Sequence, residues 1–128
     1  MTSSFPDSAA PRVLVADDER LIADTLQMIL TQNGYEVTAV YSGAKAIETA
    51  QEWAPDLFLG DVLMPDMNGI EAAIRIRAMH PKCRVVLLSG QAATADLTRD
   101  ARVAGHKFEI ILKPIHPVQL LERLRATD

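Results

Sequence analysis

The sequence predicts an α/β domain: a doubly wound, five-stranded parallel sheet built from five successive βα units. Three observations carry this. Short apolar runs, such as Arg12–Ala16, Leu57–Gly60 and Arg84–Leu88, alternate with segments whose apolar residues recur at helical spacing. The runs lack the in-and-out alternation of a half-solvated sheet, so they read as strands covered on both faces. Helix-stopping residues, Asn33-Gly34, Pro55, Pro81 and Gly105, separate the units.

In chain order, a strand over 12–16 is followed by a helix from Glu19 to Gln32 with Ile22, Leu26 and Ile29 facing inward. Glu36 to Val40 reads as the second strand. Ser42 is the expected cap of a helix that runs to about Trp53 and buries Ala46, Ile47 and Ala50. The third strand ends at Asp61, and a loop over 62–69 leads to a helix carrying Ile70, Ala73 and Ile74, closed before His80-Pro81. Arg84 to Leu88 forms the fourth strand, stopped by Ser89-Gly90. A helix over 92–104 with Leu97, Ala101 and Ala104 inward precedes the fifth strand at 108–112. Pro117 suits the first turn of a last helix that buries Val118, Leu121 and Leu124. Residues 1–10, rich in Ser, Ala and Pro, read as a flexible tail before a single domain over 11–128.

A length of 128 residues suits one domain with a genuine core. The net charge of −4 argues against direct nucleic-acid binding and against attraction to anionic membranes. One cysteine, Cys83, excludes an internal disulfide and fits a reducing compartment; without a neighbouring His it reads as a buried spectator. No apolar stretch approaches the ~20 residues of a membrane span. The first eleven residues have neither the basic start nor the apolar block of a signal peptide, so a cytoplasmic location is expected.

Right-handed crossovers bring the C-terminal ends of all strands to one sheet edge, where ligands of open α/β sheets bind. That edge collects Asp17, Asp18, Asp61, Ser89 and Lys113. Each has an ordinary reading alone: the acidic pair as a helix cap, Ser89 as a strand-end residue, Lys113 as a solvated lysine. Together they are costly near a core unless something binds there. Three carboxylates favour a hard divalent cation such as Mg²⁺, which takes oxygen ligands and often a phosphate. A carboxylate such as Asp61 can attack phosphorus and become an acyl phosphate, with Ser89 and Lys113 available to the phosphoryl oxygens. His80, His106 and His116 have no metal-ligand spacing, and Met64, Met67 and Trp53 read as packing residues.

Several motifs occur in order: Val15-Ala16-Asp17-Asp18-Glu19, Pro55-Asp56-Leu57 leading to Asp61-Val62-Leu63-Met64-Pro65-Asp66-Met67-Asn68-Gly69, Val86-Leu87-Leu88-Ser89-Gly90, and Leu112-Lys113-Pro114. With them the sequence resembles the receiver domain of two-component response regulators, over roughly residues 11–126. The resemblance implies the flavodoxin-like strand order 2-1-3-4-5. It implies Asp61 as phosphoacceptor, with Asp18, Asp61 and the Leu63 backbone carbonyl coordinating Mg²⁺ and Asp17 acting through bound water. Ser89 and Lys113 would contact the phosphoryl group, and the Lys113-Pro114 bond would be cis. The donor would be a phosphohistidine on a sensor histidine kinase or a histidine phosphotransfer protein. Ser89 and the position of Ile110 would form the switch, and a face of the helix over 92–104, the fifth strand and the last helix would bind a downstream protein. A homodimer is compatible with the resemblance. Output is expected through binding another protein or through a partner domain absent from this chain.

The sequence departs from the family pattern at three positions. Ile110 stands where an aromatic is usual, and the segment Gly105-His106-Lys107-Phe108-Glu109-Ile110 makes the spacing from glycine to lysine one residue longer than usual. Phe108 shares the face of Ile110 if the strand is regular. Leu63 is apolar where a polar residue would position an attacking water, which implies slow hydrolysis of the protein's own acyl phosphate. Gly60 precedes Asp61, where it relieves crowding beneath the site. Two other functions fit less well. A Mg²⁺-dependent phosphatase would need an acid at Leu63 and a cap domain, and a receiver unable to accept phosphate would lack part of the acidic pair, the acceptor or the lysine.

Overall fold

The computed structural model describes residues 10–90, 105, 108–114 and 116–126. The expected tail and the helix expected over 92–104 fall outside these residues, apart from Ala10 at the end of the tail. Five strands form one parallel sheet: β1 (Arg12–Ala16), β2 (Glu36–Val40), β3 (Leu57–Asp61), β4 (Arg84–Ser89) and β5 (Glu109–Leu112). Their order is β2-β1-β3-β4-β5, the flavodoxin-like arrangement. Four described helices connect or follow them: α1 (Arg20–Gln32), α2 (Gly43–Glu52), α3 (Gly69–Met79) and a C-terminal helix (Pro117–Arg125).

The central strands β1, β3 and β4 are buried almost end to end, which is why they read as unbroken apolar runs, while edge strands β2 and β5 are partly exposed. Alternate side chains feed two half-cores. Leu14, Phe58, Val85 and Leu87 pack under α2 and α3 against Ala46, Ala50, Ala73 and Ile76. Val13, Val15, Leu59, Val86 and Leu88 pack against Ala23, Leu26 and Leu30 of α1 and against Leu120 and Leu124. Small inward residues on α1, α2 and α3 let those helices sit close to the sheet.

Two inward stripes are rotated from the expected ones. On α1, Leu26 is buried as expected, but Ala23 and Leu30 are its buried partners, and Ile22 and Ile29 are half-buried. On the C-terminal helix Val118 is 55% exposed, contrary to expectation, and Leu120 joins Leu124 in the core. The reason lies outside the helix. Arg84 on β4 donates to the carbonyls of Arg123 at 2.9 Å and Leu124 at 2.8 Å, which orients the helix end, while its guanidinium also pairs with Glu109 of β5 at 2.6 and 2.9 Å.

The expected Ser42 cap is present, with Ser42 Oγ accepting the Lys45 N–H at 3.1 Å, and Pro117 opens the C-terminal helix as expected; α3 is capped by Asn68, whose Oδ1 accepts the Glu71 N–H at 2.8 Å. Trp53 sits at the core edge at the C-terminus of α2 and donates its indole N–H to Glu36. Cys83 is buried, and burial pushes its thiol up to about 11, as suits an unreactive spectator. Among the described residues, no helix is long and apolar enough to cross a membrane.

Candidate functional site

The neighbouring strands β1 and β3 pair with Ala16 opposite Gly60, so the residues that follow, Asp17 and Asp61, emerge side by side. One ligand oxygen from each of Asp17, Asp18 and Asp61 falls in a cluster less than 4.8 Å across. Their environments differ. Asp17 is fully buried, Asp61 is 7% exposed, and Asp18 faces solvent. Asp17 Oδ1 accepts the N–H of Glu19, the residue that precedes α1, at 2.9 Å, but no side chain caps the first turn of α1, so the helix-cap reading of the acidic pair does not hold. Lys113, just beyond β5, places its ammonium 3.2 Å from Asp61 Oδ2 and 3.5 Å from Asp17 Oδ2. Its peptide bond to Pro114 is cis, as expected.

Ser89 ends β4 and is buried; it follows Leu88, the register partner of Asp61, and its carbonyl accepts the Lys113 N–H at 2.8 Å. Leu63 is 40% exposed, and its N–H points to Asp61 Oδ1 at 3.4 Å. Ile110 lies further down β5, opposite Leu87, and packs with Phe108 against the half-core under α2 and α3. Phe108 and Ile110 do share a face. The Phe108 ring nevertheless lies before β5, beneath the Arg77 guanidinium at 5.0 Å, whereas Lys113 lies after the strand.

Burial raises the Asp61 carboxyl above its ordinary value, and the Asp17 charge adds to this, while Lys113 pulls it down. For Lys113, burial acts to lower its pKa, but Asp17 and Asp61 outweigh it and hold the ammonium above its ordinary value. One ammonium among three carboxylates leaves the cluster negative. A set of hard oxygen donors with excess negative charge fits a divalent cation such as Mg²⁺.

Close approach constrains the glycines on either side of Asp61 and its loop, Gly60 and Gly69. A Cβ on Gly60 would fall 2.5 Å from Phe58 Cζ, so the Phe58 ring occupies the space beneath the strand end. A Cβ on Gly69 would overlap the Asp61 carbonyl oxygen, and the Gly69 N–H donates to Val62 O at 2.8 Å. The start of α3 is thereby pressed against the residue that carries the Asp61 carboxylate. Sequence reasoning missed Asp66, whose two carboxylate oxygens accept the N–H groups of Gly43 and Ala44 at the start of α2. Nothing local in the sequence signals this, because the partners lie 22 and 23 residues away.

The family model described as the response regulator receiver domain matches residues 13–125. The chain is 34% identical over 119 residues to chemotaxis protein CheY of Bacillus subtilis, covering 92% of this chain and 98% of that one. It is 32% identical to the probable transcriptional regulatory protein TcrX of Mycobacterium tuberculosis, covering 94% of this chain and 50% of TcrX. The chain thus spans about half the length of TcrX and, at 51%, of the DNA-binding response regulator MtrA of Mycobacterium bovis. Among solved structures, a CheY-like receiver domain protein from Methanospirillum hungatei JF-1 superposes with a TM-score of 0.82 at 28% identity, covering 91% of each chain. Sequence, fold and the acidic sheet edge agree: this chain belongs to the response regulator receiver domain family, the phospho-accepting module of two-component signalling.

Proposed function

We propose that Asp61 is the phosphoacceptor and that Asp18, Asp61 and the Leu63 carbonyl hold Mg²⁺ beside it, with Asp17 acting through bound water. The observation that supports this most is the Lys113 ammonium shared between the Asp61 and Asp17 carboxylates at one sheet edge. An Asp61 oxygen attacks phosphorus, the P–N bond of a phosphohistidine breaks, and the released imidazole nitrogen takes a proton. When bound, the cation would neutralise charge on the phosphoryl oxygens. Lys113 is placed to pair with those oxygens as a compact point charge, and the Ser89 hydroxyl is a hydrogen-bond donor at the adjacent strand end.

The donor in this reading is a histidine kinase or histidine phosphotransfer protein. Phosphorylation then biases a two-state equilibrium through Ser89, with Ile110 a passive packing residue, and exposes a protein-binding face that includes β5 and the C-terminal helix. Acetyl phosphate with Mg²⁺, read by intact mass, tests the central step. One added phosphoryl group that is lost in Asp61→Asn is the expected result; addition that persists in Asp61→Asn overturns it.

A further inference from the structure

The loop over 62–68 carries the Leu63 carbonyl, and its two ends are fastened where it leaves β3 and enters α3. The Val62 N–H donates to Leu88 O at 3.0 Å, the Gly69 N–H donates to Val62 O, and Asn68 caps α3. Between these ends the side chains of Asp66 and Met67 both reach the start of α2. Asp66 Oδ1 accepts the Gly43 N–H at 3.1 Å, and Oδ2 accepts the Ala44 N–H at 2.8 Å. With Ser42 serving Lys45, the loop completes the N-terminal cap of α2, where a carboxylate also meets the positive end of the helix dipole. The Ala44 N–H, with that of Gly43 beside it, holds the Asp66 carboxyl below its ordinary value although the residue is exposed. Met67 reinforces the seat, since it fills the space a side chain on Gly43 would take.

We propose that Asp66 is a positioning residue of the metal site: by clasping the first turn of α2 it sets the path of the 62–68 loop, and through it the Leu63 carbonyl. The inference rests on the reading that this carbonyl, with Asp18 and Asp61, holds Mg²⁺. A helix cap that serves only α2 would affect stability alone. A clasp that orders the loop also affects Mg²⁺ affinity, and by reciprocity Mg²⁺ tightens the clasp.

The test is Mg²⁺ titration of the full chain, followed by amide chemical shifts, on the wild type, Asp66→Ala, Asp66→Asn, Asp18→Asn and Asp61→Asn. The expected result is Mg²⁺ affinity about 10-fold weaker in Asp66→Ala, the scale of lost support behind a metal ligand. Asp66→Asn, which keeps one acceptor oxygen without the charge, loses about 3-fold. In the wild type, Mg²⁺ slows hydrogen exchange at the Gly43 and Ala44 amides. Wild-type affinity in Asp66→Ala overturns the proposal, and so do equal losses in both Asp66 variants, which would mean a long-range charge effect. If Asp18→Asn and Asp61→Asn also bind Mg²⁺ as the wild type does, the metal reading itself has failed.

Discussion

The ring of Phe58 occupies the place where a side chain on Gly60 would lie: a Cβ built there meets Phe58 Cζ at 2.5 Å and Cε2 at 2.7 Å. Both residues face the same side of β3, and Phe58 is fully buried beneath the strand end that bears Asp61. The large ring and the missing side chain are one packing solution, which explains the glycine next to the acidic site.

Gly60→Ala forces the Phe58 ring or the strand to move, an overpacking change that costs about 1–3 kcal/mol. Urea unfolding should show a lower midpoint for Gly60→Ala. Phe58→Leu is destabilising alone, yet it should recover part of the loss when combined with Gly60→Ala, because the two positions share one volume. Additive losses would sink this account.

Glu109 is held below its ordinary carboxyl value of 4.5, chiefly by its hydrogen bonds from Arg84, and this gives the fold a pH-dependent element. A depressed carboxyl contributes stability above its unfolded pKa and loses it as pH falls through the folded value. Glu109→Gln should therefore cost about 1 kcal/mol at neutral pH, a figure suited to a partly exposed charged hydrogen bond. Urea midpoints of the two proteins should draw together as pH falls below the ordinary carboxyl value of 4.5. A gap that stays constant from pH 7 to 3.5 would contradict it.

Asp61 shows the opposite sign. Its carboxyl is raised by burial and by Asp17, so its ionised form opposes folding at neutral pH, and that cost vanishes as pH falls below the unfolded pKa. In EDTA, Asp61→Asn is expected to unfold at a higher urea concentration than the wild type. Added Mg²⁺ should raise the wild-type midpoint by mass action and leave the variant nearly unchanged. A variant midpoint below the wild type in EDTA would refute this.

Leu63 presents an apolar, 40%-exposed side chain two residues after Asp61. It has no group that can orient a water toward an acyl phosphate. Loss of the phosphoryl group should be slow in the wild type and about 10-fold faster in Leu63→Asn, less than the ~10²-fold or more that a general base supplies, because an amide orients the water without taking its proton. The decay of the phosphorylated mass with time gives the measurement, and faster decay in the wild type would reverse the conclusion.

Much of the fold and of the site is legible in the sequence. Asp17, Asp18, Asp61, Ser89 and Lys113 each stand at the end of an apolar run, and βα alternation alone brings such ends to one edge. The inward stripe of the C-terminal helix was not readable, because Val118, Leu120, Leu121 and Leu124 are all apolar and helical spacing permits more than one face. Arg84 settles the choice by holding the last carbonyls of that helix.

The sequence by itself determined the layered α/β architecture and the membership of the acidic site, since both follow from local periodicity and from where apolar runs stop. Only the tertiary structure decided how those residues differ. Side by side at the strand ends, Asp17 is buried, Asp18 is exposed and Asp61 is raised, because burial and charge depend on neighbours from other strands. The Phe58–Gly60 fit and the Asp66 clasp on α2 are of the same kind: shape and hydrogen bonding across space, which leave no period in the chain.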